Sequence, residues 1–115
     1  MKLEVKERTQ IPDGLHAGAI IDVEYRDSPF EYTDVVIEFM VKKQKIVLKA
    51  GYPTNVSMSS KLGKLLYRFG AVLDVGSQLD PNEILIGKKC QFQVMTEETK
   101  NGTFARILAD SVKPK

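Results

Sequence analysis

The 115-residue chain is 43% hydrophobic and 28% charged, with a formal net charge of +2, a composition typical of one globular domain. It holds no apolar run long enough for a helix that crosses a membrane. One histidine and one cysteine are too few for a structural zinc site, and a lone cysteine cannot form an internal disulfide, as expected in a reducing, cytoplasmic compartment.

The charges are unevenly distributed along the chain. Residues 39–73 carry seven basic side chains and no acidic one, whereas residues 1–38 carry four bases and nine acids. A polyanion responds to the local field and not to the net charge. This segregation therefore indicates nucleic acid as the first partner to consider.

Residues 1–13 are expected to form a short N-terminal extension that ends at a turn signal in residues 11–14, Ile-Pro-Asp-Gly. An extra strand is predicted at residues 3–7. The first eight residues alternate in charge and lack the apolar core of a signal peptide, which agrees with a cytoplasmic location.

The main body is predicted to contain strands, because apolar and polar side chains alternate in five segments. Their ranges are 18–26, 32–42, 45–52, 88–96 and 103–112. Lys43 and Gln44 form a tight connection between the second and third strands. Asn101-Gly102 is a hairpin signal between the last two, and residues 113–115 follow as a basic tail.

One helix is predicted over residues 58–69, after serine residues that can cap its first turn. Its apolar stripe consists of Leu62, Leu65, Leu66 and Phe69. Gly63 costs about 1 kcal/mol relative to alanine inside a helix, and close packing against a strand is the expected reason for it. Gly70 is placed to end the helix in a left-handed conformation.

Three strands, one helix and two further strands follow the order of the OB-fold. We therefore expect a mostly β protein with one helix, forming a five-stranded OB-fold Greek-key barrel with the helix between strands 3 and 4. Residues 1–115 would form a single domain. The residues expected in the core include Tyr25, Phe39, Phe69, Cys90 and Phe92.

Four segments give the chain a resemblance to a known family: residues 18–24, 32–39, 61–70 and 86–92. In this order and spacing they resemble the small OB-fold single-stranded-DNA-binding proteins associated with phage and prophage replication. The resemblance implies a non-catalytic protein that coats single strands without sequence preference during replication, recombination or repair, with proteins of those processes as further partners. The chain has no tryptophan, so base stacking would fall to tyrosine and phenylalanine. A homo-oligomer is left open.

Cations and aromatic rings are expected on one surface, because single-strand binding needs both. In an OB-fold this surface is the face of strands 2 and 3. The residues predicted to attract phosphates are Lys42, Lys43, Lys45, Lys49, Lys61, Lys64, Arg68, Lys88, Lys89 and Arg106. Those predicted to stack on bases are Phe30, Tyr32, Tyr52 and Phe104. The structural alternatives are a solvated lysine-rich edge for the cations and core packing for the rings.

Neither a cofactor nor a metal nor a catalytic residue is predicted, so the chain is not expected to be an enzyme. Cys90 lies in an alternating run and is interpreted as a core thiol. Four carboxylates share the outward faces of strands 1 and 2 and oppose phosphate: Asp22, Glu24, Asp34 and Glu38. A metal-dependent nuclease would gather such groups in a cleft, whereas these are expected to be exposed.

Two other functions stay open at this point. A small OB-fold adaptor for a protein partner would present an exposed apolar patch. An RNA-binding OB domain uses phosphates and stacking in the same way as a DNA-binding one.

Overall fold

The computed structural model describes residues 11–27, 30–54, 57, 59–73, 76, 78–100 and 102–115, with the side chain of Thr99 left aside. The predicted extra strand at 3–7 and most of the expected extension lie outside the described residues, as does Asn101 of the expected Asn-Gly turn. Among the described residues, no helix is long and apolar enough to cross a membrane.

Strands make up most of the secondary structure of the described residues. They are β1 (Gly14–Arg26), β2 (Tyr32–Val41), β3 (Gln44–Pro53), β4 (Lys89–Thr99), β5 (Gly102–Ile107) and β6 (Lys113–Pro114). The helices are α1 (Lys61–Arg68) and α2 (Pro81–Leu85), and a 3-10 turn follows β5 at Ala109–Ser111. The predicted mostly β architecture, with its one longer helix after the third strand, is confirmed.

All strands belong to one antiparallel sheet in the order β3-β2-β1-β4-β5, with β6 paired to β4. The two ends of this path, β3 and β5, lie close to each other. In the described part of the chain no ladder joins them, so the sheet does not close. We call the gap between these two strands the seam.

β1 changes its inward face at a bulge between Ile20 and Asp22. Ile20 and Val23 are both buried, whereas Ile21 is exposed. A bulge inserts one extra residue and so reverses the alternation beyond it. Tyr25 was predicted to be a core residue and this was wrong: it lies near the outer end of β1 and is 56% exposed.

Gly18 lies where β1 pairs with two strands at once, opposite Phe39 of β2 and Cys90 of β4. A Cβ atom at this position would stand 2.4 Å from the carbonyl oxygen of Glu38. The absence of a side chain therefore allows β1 to approach β2 at this crossing.

The core fills the space between the inner faces of the strands and α1. The predicted core positions of Phe39, Cys90 and Phe92 are confirmed, and Phe69 packs against the core while partly buried. The buried residues of the helix are Leu62, Gly63, Leu65 and Leu66. The predicted inward residues of β2 are also buried: Val35, Ile37, Phe39 and Val41.

α1 begins at Lys61, later than predicted, because the preceding serines form its cap. The Oγ of Ser60 accepts a hydrogen bond of 3.0 Å from the backbone nitrogen of Gly63. A Cβ atom on Gly63 would stand 1.8 Å from the carbonyl oxygen of Ser57. The expectation that a strand explains this glycine was therefore wrong, since the capping loop occupies the space. Gly70 has the predicted left-handed conformation, with φ of 96°.

The C-terminal region is more broken than predicted. The strand expected over 103–112 ends at Ile107, and the 3-10 turn then redirects the chain. The expected basic tail contributes β6, which pairs with β4 at Cys90 and Gln91. Residues 81–85 form the short helix α2, which is capped by the side chain of Asp80.

Candidate nucleic-acid interface

A groove of about 1230 Å³ runs over the seam, between the outer surface of β2 and β3 and that of β4 and β5. We call it the seam groove. Its cationic and aromatic lining includes Arg26, Phe30, Tyr32, Lys49, Lys61 and Arg106. Five of these six were predicted as binding residues, and Arg26 was not.

Arg26 and Asp34 form a two-pronged ion pair in the groove. The Nε of Arg26 donates to Oδ2 of Asp34 at 2.5 Å, and its Nη2 donates to Oδ1 at 3.0 Å. The Asp34 side chain is 7% exposed, whereas that of Arg26 is 52% exposed. The hydrogen bond to this carboxylate raises the pKa of Arg26. Asp34 was predicted to be exposed and this was wrong, since the arginine covers it.

Two aromatic rings lie at the same end of the groove. Phe30 immediately precedes the start of β2 and is 72% exposed. Tyr32, the first residue of β2, holds its ring 5.2 Å from the guanidinium carbon of Arg26. The groove thus brings two accessible rings beside a fixed cation, which are the two components of single-strand recognition.

Three other cations at or near the groove are also paired with carboxylates, whereas Lys61 has no ion pair among the described residues. Lys49 donates to Glu24 at 2.7 Å across β2, and this hydrogen bond raises the pKa of the lysine. Arg106 contacts Glu97 at 3.1 Å, and Lys45 on the outer face of β3 lies 3.6 Å from Glu38. Exposed pairs of this kind contribute little to stability, so a phosphate can replace the carboxylate at small cost.

Lys42 and Lys43 lie at the tip of the β2–β3 hairpin, at the end of the ladder away from the groove. Ten residue pairs, from Tyr32–Pro53 to Val41–Gln44, separate the two ends, which corresponds to about 30 Å. Both lysines have positive φ, at 48° and 65°. The tight connection thus lies one residue earlier than predicted, and neither lysine has an ion pair among the described residues.

The remaining predicted cations are spread over other elements. Lys61 and Lys64 are exposed on α1, and of these two only Lys61 lines the groove. Lys88 and Lys89 are exposed at the start of β4, outside the groove. Arg68, which was also predicted to attract phosphates, lies on α1 outside the groove lining. It is partly buried, and its Nε is a buried atom without a hydrogen-bond partner in the described ranges.

The two other predicted stacking residues have different environments. Tyr52 is fully buried, and its hydroxyl donates to the carbonyl oxygen of Ala109 at 2.7 Å. Its prediction as a stacking surface was therefore wrong. Phe104 is exposed on β5, opposite Glu97 in the ladder and outside the groove lining.

Cys90 is a core residue, and His16 lies beside two core rings. Cys90 is fully buried, and burial raises the pKa of its thiol to about 11. The ring of His16 lies 5.4 Å from that of Phe39 and 6.2 Å from that of Phe92, and its Nε2 is 2.7 Å from the carbonyl oxygen of Pro12. Within the described ranges, no group of three or more histidine, cysteine or acidic residues is placed to hold a metal ion.

Sequence reasoning missed Arg26 and also Gly51, which lies opposite Asp34 on β3. The signal was present, because Arg26 and Asp34 occupy the outward phases of two adjacent predicted strands. Only the register decides that a carboxylate lies within reach of the guanidinium.

Comparison with models of protein families and with curated proteins gives no match to this chain.

Proposed function

We propose that the protein is a non-catalytic, sequence-tolerant single-stranded-DNA-binding protein that uses the seam groove as its site. The observation that supports this best is the lining of the groove. The exposed ring of Phe30 and the partly exposed ring of Tyr32 lie at one end beside Arg26, and three further cations line the same space. Rings that accept bases and cations that follow the phosphates are the requirements for binding a flexible single strand.

The finer fold belongs to the same proposal. The strand order β3-β2-β1-β4-β5, with α1 between β3 and β4, agrees with an OB-fold barrel that is open between β3 and β5. Partly open barrels of this type bind oligonucleotides on the face of strands 2 and 3. The seam groove includes the outer surface of these strands at its Tyr32 end.

The charge distribution adds a long-range component. The acid-free window over residues 39–73 contains the hairpin tip and α1, whose exposed lysines have no ion pair in the described part of the chain. Lys61 lines the groove, and the others attract a polyanion from outside it. The paired cations of the groove then complete the contact at short range.

The test is a titration of the protein with a fluorescently labelled oligo-dT at two salt concentrations. For single strands the logarithm of the affinity falls with the logarithm of the salt concentration, with a slope of about −0.7 per neutralised phosphate. Unlabelled duplex DNA of equal length is expected to compete weakly, and unlabelled RNA separates the DNA-binding from the RNA-binding alternative. No binding at low salt would reject the proposal, and binding that ignores salt would reject its electrostatic mechanism.

A protein-binding adaptor is the second candidate, because apolar side chains are exposed outside the groove. Met40 and Val47 are exposed on the outer face of neighbouring strands, and Leu15 is exposed on β1. A wild-type protein that fails to bind any oligonucleotide would favour the adaptor. The double change Met40→Asp, Val47→Asp should then abolish capture of the protein partner, whereas under the DNA-binding proposal it should leave oligo-dT affinity nearly unchanged.

A further inference from the structure

We propose that the guanidinium of Arg26 is a stacking platform for a nucleobase, and that the ring of Tyr32 supports this platform. This inference rests on the proposed single-strand function and specifies which part of the polymer this end of the groove contacts. In this proposal Arg26 contacts the flat face of a base, and the other cations of the groove contact the phosphates.

The first support is that the guanidinium is held in a fixed orientation. Asp34 engages both Nε and Nη2, and the carboxylate is itself buried. A two-pronged pair of this kind fixes the plane of an arginine as well as its position. A ligand therefore meets a side chain whose rotamer freedom is already lost, which reduces the entropy cost of binding.

The second support is the space that Gly51 leaves. Gly51 lies opposite Asp34 on β3, and a Cβ atom there would stand 3.2 Å from Oδ1 of Asp34 and 3.8 Å from Nη2 of Arg26. A glycine thus keeps the surroundings of the ion pair open on the side of the groove. Gly51 and Arg26 both line the seam groove.

The third support is the position of the ring. The guanidinium carbon of Arg26 lies 5.2 Å from the centroid of the Tyr32 ring, and half of the arginine side chain still reaches solvent. A guanidinium is planar and weakly hydrated, so its uncovered surface is a good partner for another flat group. Unpaired bases stack on arginine planes as they do on aromatic rings.

The charge of the pair favours a base over a phosphate. The carboxylate of Asp34 compensates the charge of Arg26 at 2.5 Å, so their combined field on a nearby phosphate is weak. The same carboxylate occupies two of the nitrogen atoms that a phosphate would need. Neither the compensated charge nor the two occupied nitrogen atoms prevent a base from stacking on the plane of the guanidinium.

The test compares two substrates of equal length and charge: oligo-dT and an abasic oligonucleotide that carries the same phosphates without bases. The variant is Arg26→Lys, which keeps the charge and the ion pair to Asp34 but removes the plane. Its fold is checked by circular dichroism and by thermal unfolding. The matched control is Arg106→Lys, since Arg106 is also a groove arginine paired to a carboxylate.

We expect Arg26→Lys to weaken oligo-dT binding by about fivefold or more, the lower limit of one lost stacking contact. Its affinity for the abasic strand should change by less than about twofold, and Arg106→Lys should affect both substrates equally. Equal losses on both substrates for Arg26→Lys, or no loss on either, would overturn the platform while leaving single-strand binding intact. A wild-type protein that binds neither substrate would overturn the proposed function and the platform together.

Discussion

The hydroxyl of Tyr52 donates a hydrogen bond of 2.7 Å to the carbonyl oxygen of Ala109. This contact joins the end of β3 to the 3-10 turn that follows β5. It therefore connects the two sides of the seam, across which the described residues form no backbone ladder. The ring itself is fully buried, so Tyr52 acts below the groove and not in it.

Replacing Tyr52 by phenylalanine should lower the free energy of unfolding by about 1 kcal/mol, the usual contribution of one internal hydrogen bond. Tyr52→Ala should lower it by about 3–5 kcal/mol, because a large core side chain is lost. Urea unfolding measures both. The affinity of Tyr52→Phe for oligo-dT should equal that of the wild type, and a phenylalanine variant with full stability would contradict the role of the hydroxyl.

Gly18→Ala should destabilise the protein, because the new methyl group would stand 2.4 Å from the carbonyl oxygen of Glu38 and 2.9 Å from the Cβ of Phe39. Forcing an atom into a filled site costs about 1–3 kcal/mol. Thermal and urea unfolding give the value. Gly51→Ala is the control, since its nearest contact would be 3.2 Å, to a side-chain oxygen. An equal loss in both variants would show that the strand crossing is not the cause.

Lys42 and Lys43 both have positive φ, the combination that a two-residue type I′ hairpin requires and that asparagine and glycine adopt most easily. A left-handed conformation costs an ordinary residue about 1–2 kcal/mol. The double change Lys42→Asn, Lys43→Gly should therefore raise the free energy of unfolding by about 1–2 kcal/mol, as measured in urea.

The control for the hairpin is Lys42→Gln, Lys43→Gln, which removes the same charges and keeps the strain. It should change stability by less than about 0.5 kcal/mol. If the tip attracts DNA, both double variants should reduce the salt dependence of oligo-dT binding to the same extent. An Asn-Gly variant no more stable than the Gln-Gln variant would show that the turn is relaxed.

Glu97 contacts Arg106 at 3.1 Å, so under the proposed function it competes with phosphate for this arginine. Glu97→Gln should therefore increase the affinity for oligo-dT at low salt, by about two- to fivefold. Glu98→Gln changes the net charge equally and is the matched control, since Glu98 has no ion pair among the described residues. Fluorescence anisotropy measures both, and equal gains would mean that only the net charge matters.

The Cys90 thiol should make the protein lose stability in alkali. Its pKa is raised from 9.0 to about 11 by burial, so the unfolded chain releases this proton first. The stabilisation is complete below about pH 9 and is lost as the pH rises towards about 11. Urea unfolding at several pH values should show a steeper decline for the wild type than for Cys90→Ala. Parallel declines would exclude the thiol as the cause.

The periodic parts of the fold could be predicted from the sequence. Alternation placed the strands, the inward residues of β2 and the outward lysines of β3, and the leucine spacing placed α1. The bulge at Ile20 and Asp22 could not be predicted, because both phases of that segment contain an apolar residue. Tyr25 was therefore assigned to the wrong environment.

The site was harder to predict than the strands. Local sequence gives the phase of a side chain but not the element that covers it. Tyr52 is covered by a turn that follows β5, and Asp34 is covered by Arg26 from the neighbouring strand. Both contacts depend on register and tertiary packing. Phe30, for which stacking and core packing were both considered, is exposed.

The seam groove lies on the outer surface of the strands, over a seam that no ladder bridges in the described part of the chain. Under the proposed function, a long polymer therefore reaches it from the side. A surface groove such as the seam groove can be entered from the side, whereas a tunnel must be threaded from an end. A circular single strand should consequently bind to this protein as readily as a linear one. Many protein molecules can then bind along one strand without sliding past one another.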